Sequence, residues 1–268
     1  MELQRALADY NRNRIAVFAI SYDSVEVLAA FSERHQIGFP LLSDQGSRVI
    51  TALGMLNEGV YDQHAFYGVA HQDFYWGVPY AGAFSLNEQG VVTDKRFQTS
   101  YRMRESGVAM LEESFGVAST SSGPHVHASG PGVALRAHLD TDTYRTYQRL
   151  RLTLELAIEP GLHVYGQPIP EGYQPLEIEV EPIEGLLVGA LEGPAPQPFQ
   201  MQGLDDQFFV HSGATRWSLP LTFTQKMGDL RVRVLVRYQA CSEHDCLLPA
   251  QPELELPLTE RNHVEAIT

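Results

Sequence analysis

The hydrophobic pattern of this 268-residue chain changes period at residues 116–132, and that change limits it to folds built from two unlike halves. Beyond the break, Leu150, Leu152, Leu154, Leu156 and Ile158 interleave with Arg149, Arg151, Thr153 and Glu155, and similar alternation recurs at residues 176–180, 217–223 and 230–238. A period of two sends one set of side chains to one face, so each run reads as a half-buried β-strand. No helix is evident among them. The break itself, Gly-Val-Ala-Ser-Thr-Ser-Ser-Gly-Pro-His-Val-His-Ala-Ser-Gly-Pro-Gly, has too little apolar surface to order itself and reads as a flexible linker over residues 117–132. His125 and His127 within it read as solvated, because no cysteine or carboxylate stands near them to complete a metal site.

Ahead of the linker, helices and strands alternate. Leu3, Ala6, Leu7 and Tyr10 keep helical spacing, and residues 15–20 are an unbroken apolar run of the kind buried on both faces of a sheet. Ser24 is placed to cap a helix whose buried stripe is Val27, Leu28 and Phe31. Phe39-Pro40-Leu41-Leu42 reads as a short strand, Asp44 opens a helix ending near Leu53, and residues 81–86 and 91–97 form a hairpin around Asn87-Glu88-Gln89-Gly90. A helix from about Arg102 to Phe115 closes the half. The aromatic stretch Tyr61, Phe66, Tyr67, Phe74, Tyr75 and Trp76 reads as core packing rather than a docking surface. The expected architecture is an α/β domain at residues 1–116, the linker, and an all-β domain at residues 133–262 of immunoglobulin-like sandwich type.

Composition excludes some functions. A formal net charge of −14 with no basic tract argues against a nucleic-acid partner. No apolar run approaches the eighteen residues of a membrane span, and Met1-Glu2-Leu3-Gln4-Arg5 has no signal-peptide pattern. The carboxylate pair Asp205-Asp206 sits in an apparent turn and reads as solvated. Oligomeric state has no sequence signature.

The chemistry-bearing residues are the only two cysteines, Cys241 and Cys246, in Tyr238-Gln239-Ala240-Cys241-Ser242-Glu243-His244-Asp245-Cys246. They follow the alternating run at 231–238, whose expected partner strand is residues 253–258. Thiols at this spacing can reach the Cα separation of roughly 4.4–6.8 Å that a disulfide needs. Exchange between thiols and disulfides requires an attacking thiolate, a leaving thiolate and access, with no metal or organic cofactor. Glu243 and Asp245 are expected to disfavour a thiolate by like-charge repulsion, and a protonated, inward-facing His244 to favour one. Three other readings stay open: a structural disulfide, a pair of buried free thiols, and a zinc site, for which the motif with His244 offers at most three ligands.

Gly161-Leu162-His163-Val164-Tyr165, Val236-Arg237-Tyr238-Gln239-Ala240-Cys241 and Cys246-Leu247-Leu248-Pro249 together resemble the N-terminal domain of DsbD, over about residues 132–260. That resemblance implies a periplasmic disulfide-interchange module with an immunoglobulin-like fold, in which Cys246 forms the mixed disulfide and Cys241 resolves it. Tyr238 and His244 are then supporting candidates. Residues 2–116 resemble the AhpC/TSA peroxiredoxin and redoxin branch of the thioredoxin fold. The carriers are Ile15-Ala16-Val17-Phe18-Ala19-Ile20-Ser21-Tyr22-Asp23, Phe39-Pro40-Leu41-Leu42-Ser43-Asp44, and Pro79 ahead of residues 83–90. In this superfamily a proline before that strand usually follows a cis bond, which makes Val78-Pro79 a candidate and Pro79 a supporting residue. Residues 1–240 contain no cysteine, so the first domain has no thiolate to attack a peroxide, and the chain as it stands is not expected to be a cysteine peroxidase.

Because Glu2-Leu3-Gln4 begins a helix with no cap or preceding strand, the thioredoxin-like domain is expected to be N-terminally truncated, its first strand and a Cys-x-x-Cys segment lying upstream; the alternative is a scaffold. The function expected is a thiol–disulfide oxidoreductase component. It would exchange electrons through Cys241 and Cys246 with a thioredoxin-like or other exchange protein, or with that upstream segment. The alternative is a non-catalytic two-domain binding protein with a structural disulfide. The DsbD resemblance implies the periplasm, and a genuine chain start would imply the cytoplasm.

Overall fold

The computed structural model describes residues 2–66, 68–97, 104–117, 123–200 and 207–261. Tyr67, the expected helix start at Arg102, and Asp205-Asp206 lie outside them. The chain divides into the units Met1–Ser121 and Ser122–Thr268.

The first unit is α/β. Helix α1 (Glu2–Arg12) buries Ala6 and Tyr10 against Val108 and Leu111 of α5 (Gly107–Phe115), which Ser106 caps through the backbone N–H groups of Val108 and Ala109. The Tyr10 hydroxyl donates to the Gly107 carbonyl at 2.8 Å, tying the two helices together. Strand β1 (Ala19–Ser21) pairs in parallel with β2 (Leu41–Ser43), connected by α2 (Val25–His35), with Ser24 as its N-cap. After α3 (Arg48–Ala52), the Asp44 carboxylate accepts from the Ile50 N–H at 2.8 Å. Then come α4 (Val60–Phe66), a 3-10 turn at Asp73–Tyr75, and the hairpin of β3 (Gly82–Leu86) and β4 (Val92–Phe97), followed by a two-residue strand β5 (Arg104–Glu105). The hairpin turn forms as its chemistry predicts: the Asn87 side chain accepts from the Gln89 and Val91 N–H groups, and Gly90 takes φ +75°.

Several burial expectations here fail, for one reason. Among the described residues β1 pairs with β2 alone, so the run at 15–20 is covered on one side only: Ile15 and Val17 pack on α1 and α5, while Phe18 is 61% exposed. In α2 only Leu28 of the expected stripe is buried. The aromatic stretch is likewise at the surface, Phe66, Phe74 and Trp76 being exposed, because its segment folds into a helix and a single 3-10 turn rather than a second layer. Its rings contact one another instead, with Tyr61 against His71 at 4.1 Å and Trp76 at 6.1 Å.

The second unit is an immunoglobulin-like β-sandwich. Its strands are β6 (His125–Gly130), β7 (Val133–Leu139), β8 (Thr143–Tyr144), β9 (Gln148–Ile158), β10 (His163–Tyr165), β11 (Glu177–Val180), β12 (Leu186–Val188), β13 (Gln197–Gln200), β14 (Gln207–Ser212), β15 (Ala214–Phe223), β16 (Leu230–Arg237), β17 (Ala240–Cys241) and β18 (Glu253–Glu260). One sheet runs β12-β15-β9-β7-β6 and the facing one β11-β16-β18-β8. The alternating leucines of β9 meet Val232, Val234 and Val236 of β16 and Leu254, Leu256 and Leu258 of β18 in one buried core. Burying each such side chain contributes about 1.5–3 kcal/mol, which is why these strands assemble with this face inward. A third sheet, β13-β14-β10-β17, carries the cysteine motif.

Residues 125–130 correct the expected linker. They form β6, paired residue for residue with β7 from His125↔His138 to Gly130↔Val133. Val126 and Ala128 pack on the core while His125, His127 and Ser129 point outward, so a run too polar to order alone is ordered by a neighbour's ladder. Among the described residues no helix is long and apolar enough to cross a membrane.

Candidate functional site

The site is built by β17. The alternation of β16 continues through Tyr238, whose backbone exchanges hydrogen bonds with Ala250 at 2.9 and 3.1 Å, and the chain then leaves that sheet to pair with β10. Alternation across this short strand splits its residues between two environments. Ala240 enters the sandwich core with Val164, and Cys241 faces the other way. There it joins Tyr165, Phe208 and Val210 in a small separate core, with Phe199, Tyr173 and Ile169 partly buried against it.

Cys241 and Cys246 are joined by a disulfide, with S–S 2.06 Å and Cα–Cα 4.0 Å. The Cα separation is shorter than the expected window because the two residues also face each other as an isolated antiparallel bridge. The loop between them closes on itself. Ser242 Oγ accepts from the His244 and Asp245 N–H groups at 3.2 and 3.0 Å, and the Ser242 N–H donates to the Asp245 carbonyl at 2.7 Å. On the far side, Gln239 Nε2 donates to the Leu247 carbonyl and the Leu247 N–H to the Ala240 carbonyl, both at 2.9 Å.

The two sulfurs are unequal. Cys241 is 0% exposed, whereas Cys246 lies on the surface beside Leu247 and Leu248, the latter 80% exposed. A reagent in solvent therefore meets Cys246 before Cys241.

The other sequence candidates fall elsewhere. His244 is exposed rather than turned inward, because the turn that closes the loop directs residues 243–245 to solvent. Tyr238 is fully buried in the sandwich core, on the same side as Ala240 and away from Cys241, and its hydroxyl has no hydrogen-bond partner among the described residues; burial raises its pKa. Pro79 belongs to the first unit. Val78-Pro79 is trans, its extended backbone forming a bridge with Leu56 in which the Asn57 N–H donates to the Val78 carbonyl at 3.0 Å and the Tyr80 N–H to the Met55 carbonyl at 2.7 Å. Among the described residues the cis bond is Gln167-Pro168. No three His, Cys, Asp or Glu side chains among the described residues gather as metal ligands.

One residue that sequence reasoning quoted without assigning a role stands directly across from Cys241. His163 of β10 is its register partner, so the two side chains share a face. The residue is 5% exposed, its ring lies 4.4 Å from the Phe199 ring and 5.3 Å from Tyr165, and its Nε2 has no hydrogen-bond partner among the described residues. Burial lowers its pKa, opposed by the charge of Glu243. Nothing local in the sequence signals this pairing, since β10 and β17 are far apart along the chain.

Comparison with known proteins agrees with this division. Residues 1–95 match the AhpC/TSA family, and residues 137–258 match the N-terminal part of thiol:disulfide interchange protein DsbD. Among solved structures, the N-terminal periplasmic domain of ScsB from Proteus mirabilis is similar at 14% identity and TM-score 0.35, covering 53% of this chain and 52% of that one. The chain thus spans about half the length of that domain. The Neisseria meningitidis DsbD N-terminal domain in the reduced form is similar at 15% identity and TM-score 0.28, covering 39% of this chain and 74% of that one. A search of the curated proteins finds no match. The chain is thus similar to the AhpC/TSA family over residues 1–95 and to the DsbD N-terminal domain over residues 137–258, and the second stretch carries both cysteines.

Proposed function

We propose that this chain is a thiol–disulfide oxidoreductase component that exchanges electrons through Cys241 and Cys246 with a thioredoxin-like partner. The observation that carries the reading is the asymmetry of the pair, one sulfur buried in an aromatic core and the other open beside exposed leucines. A partner's thiolate attacks Sγ of Cys246, the S–S bond breaks, and Cys241 leaves with the electron pair. A second partner thiol then attacks the mixed disulfide, releasing Cys246 and leaving the partner oxidised. Leu247 and Leu248 offer the apolar contact on which a docking protein can seat. The match of residues 137–258 to the DsbD N-terminal model supports the same chemistry.

Two measurements test this. Equilibration against glutathione, read by alkylation and mass spectrometry, is expected to place the pair in the range of exchange proteins; a bond that stays oxidised below about −300 mV assigns it instead to structure. Cys241→Ser, which leaves Cys246 unable to be displaced, is expected to accumulate a mixed disulfide with a thioredoxin-like protein, whereas Cys246→Ser is not. Equal trapping by both variants would contradict the assigned order of attack.

A further inference from the structure

We propose that His163 is the positioning and proton-relay residue for Cys241, an inference that rests on the exchange reading above. When the S–S bond breaks, its electron pair departs with Cys241 Sγ, and a thiolate forms in a site that is 0% exposed and walled by Tyr165, Phe208 and Val210. Desolvation penalises that charge, so the step requires a donor inside the cage. His163 shares the sheet face with Cys241 as its cross-strand partner, and among the described residues its buried Nε2 is unpartnered in the disulfide form. A buried ring nitrogen without a partner costs free energy in the disulfide form, and a state that gives it a partner relieves that cost. The thiolate state supplies that partner. One ring nitrogen gives its proton to the sulfur while the other takes one from water, so the reduced product holds a neutral Cys241 thiol and a neutral imidazole. In reverse, as Cys241 attacks a mixed disulfide at Cys246, the neutral ring accepts the thiol proton.

The surroundings suit a neutral ring that cycles. The titratable groups around His163 are Tyr165 on its own strand, Tyr173 packed against Tyr165, Cys241 across the ladder, and Glu243 in the disulfide loop. Ser212 is its register partner on β14, and Phe199 of β13 covers the ring. Burial favours the neutral form and Glu243 opposes it.

The test reduces the disulfide of the full chain with dithiothreitol over a pH series, quenching by alkylation and counting labelled cysteines by mass spectrometry. His163→Phe, which keeps an aromatic ring in the cage, is expected to slow reduction about tenfold and flatten its pH profile. His163→Gln, which retains a hydrogen-bond donor but cannot relay a proton, should recover part of the rate and none of the profile. Tyr165→Phe removes the buried Tyr165 hydroxyl, which like His163 Nε2 has no hydrogen-bond partner among the described residues; a loss equal to that of His163→Phe would assign the effect to the cage and overturn the proposal. A second readout needs no exchange partner and no reagent in the cage: in Cys246→Ser, the ultraviolet thiolate absorbance of Cys241, titrated over pH, should shift when His163 is replaced by Gln. Rates and profiles within twofold of the parent overturn the role of His163 while leaving the exchange reading intact. A parent disulfide that dithiothreitol cannot reduce overturns both.

Discussion

Gly130→Ala tests the structure where it departs furthest from the sequence reading. Gly130 lies in the stretch that composition marks as linker, yet it ends β6 against the sandwich core. A Cβ built there stands 2.3 Å from the Tyr238 hydroxyl oxygen, 3.3 Å from its Cζ and 3.2 Å from the Ala250 Cβ. Tyr238 is fully buried, so its ring has little freedom to retreat, and overpacking of this kind costs about 1–3 kcal/mol. Tyr238→Phe removes the clashing atom. It also removes a buried hydroxyl with no hydrogen-bond partner among the described residues, a burden of roughly 1–3 kcal/mol by protein mutational data, so the single variant should be as stable as the parent or more so. In the double variant the nearest ring atom is the Cζ at 3.3 Å, a tight contact that shifts of a few tenths of an ångström relieve. Urea unfolding of the parent, both singles and the double should give a coupling of about 1–2 kcal/mol, the double lying near the parent. Two results would refute the reasoning. A silent Gly130→Ala would mean that residues 125–130 are the flexible linker composition suggests, and additivity within about 0.5 kcal/mol would mean that Gly130 and Tyr238 do not touch.

Two further outcomes are expected. Leu154→Ala, at a fully buried position in the central strand of its sheet, should destabilise the second unit by about 2–5 kcal/mol in the same unfolding assay, whereas Ala157→Ser on the exposed face should change it by under about 0.5 kcal/mol. The pKa of His138 is pushed down to about 4 by burial, with the charges of His125, Arg216 and Arg136 acting the same way. Because a histidine in the unfolded chain takes a proton near pH 6.5, the unfolded state binds more protons between the two values. Stability contributed by neutral His138 is therefore fully present above about pH 6.5 and lost as pH falls toward about 4, by on the order of 3 kcal/mol. His138→Gln should flatten that part of the stability–pH curve, and an unchanged slope would show that His138 is solvated.

Much of the fold was legible because burial imprints a period on a strand. The Leu150 to Ile158 alternation, the β16 run before the cysteines and its pairing with residues 253–258 all follow from one face being dry. Local chemistry was legible too: the Ser24 cap and the Asn87 turn depend on side chains reaching backbone groups a few residues away. The failures share a cause. Residues 125–130 carry a weak period and many small residues, and β7 supplies the ladder that orders them. Phe18, Phe74 and Trp76 are apolar by identity, but burial requires a covering layer that no residue specifies alone. His244 seemed the natural neighbour of the thiols because it stands between them in sequence, yet the turn exposes it and places His163 opposite Cys241.

The sequence by itself determined the strongly alternating strands and which of their faces are dry, that the chain has two unlike halves, and that its thiol chemistry is confined to Cys241 and Cys246. These follow from periodicity and residue type, which act over a few residues. Only the tertiary structure decided that Cys241 is buried and Cys246 open, that β17 leaves the sheet of β16 to pair with β10, and that His163, with an Nε2 unpartnered among the described residues, stands across the ladder from Cys241. Those facts depend on which strands become neighbours. That choice is made by the closure of whole sheets around a shared core, through contacts between residues far apart along the chain.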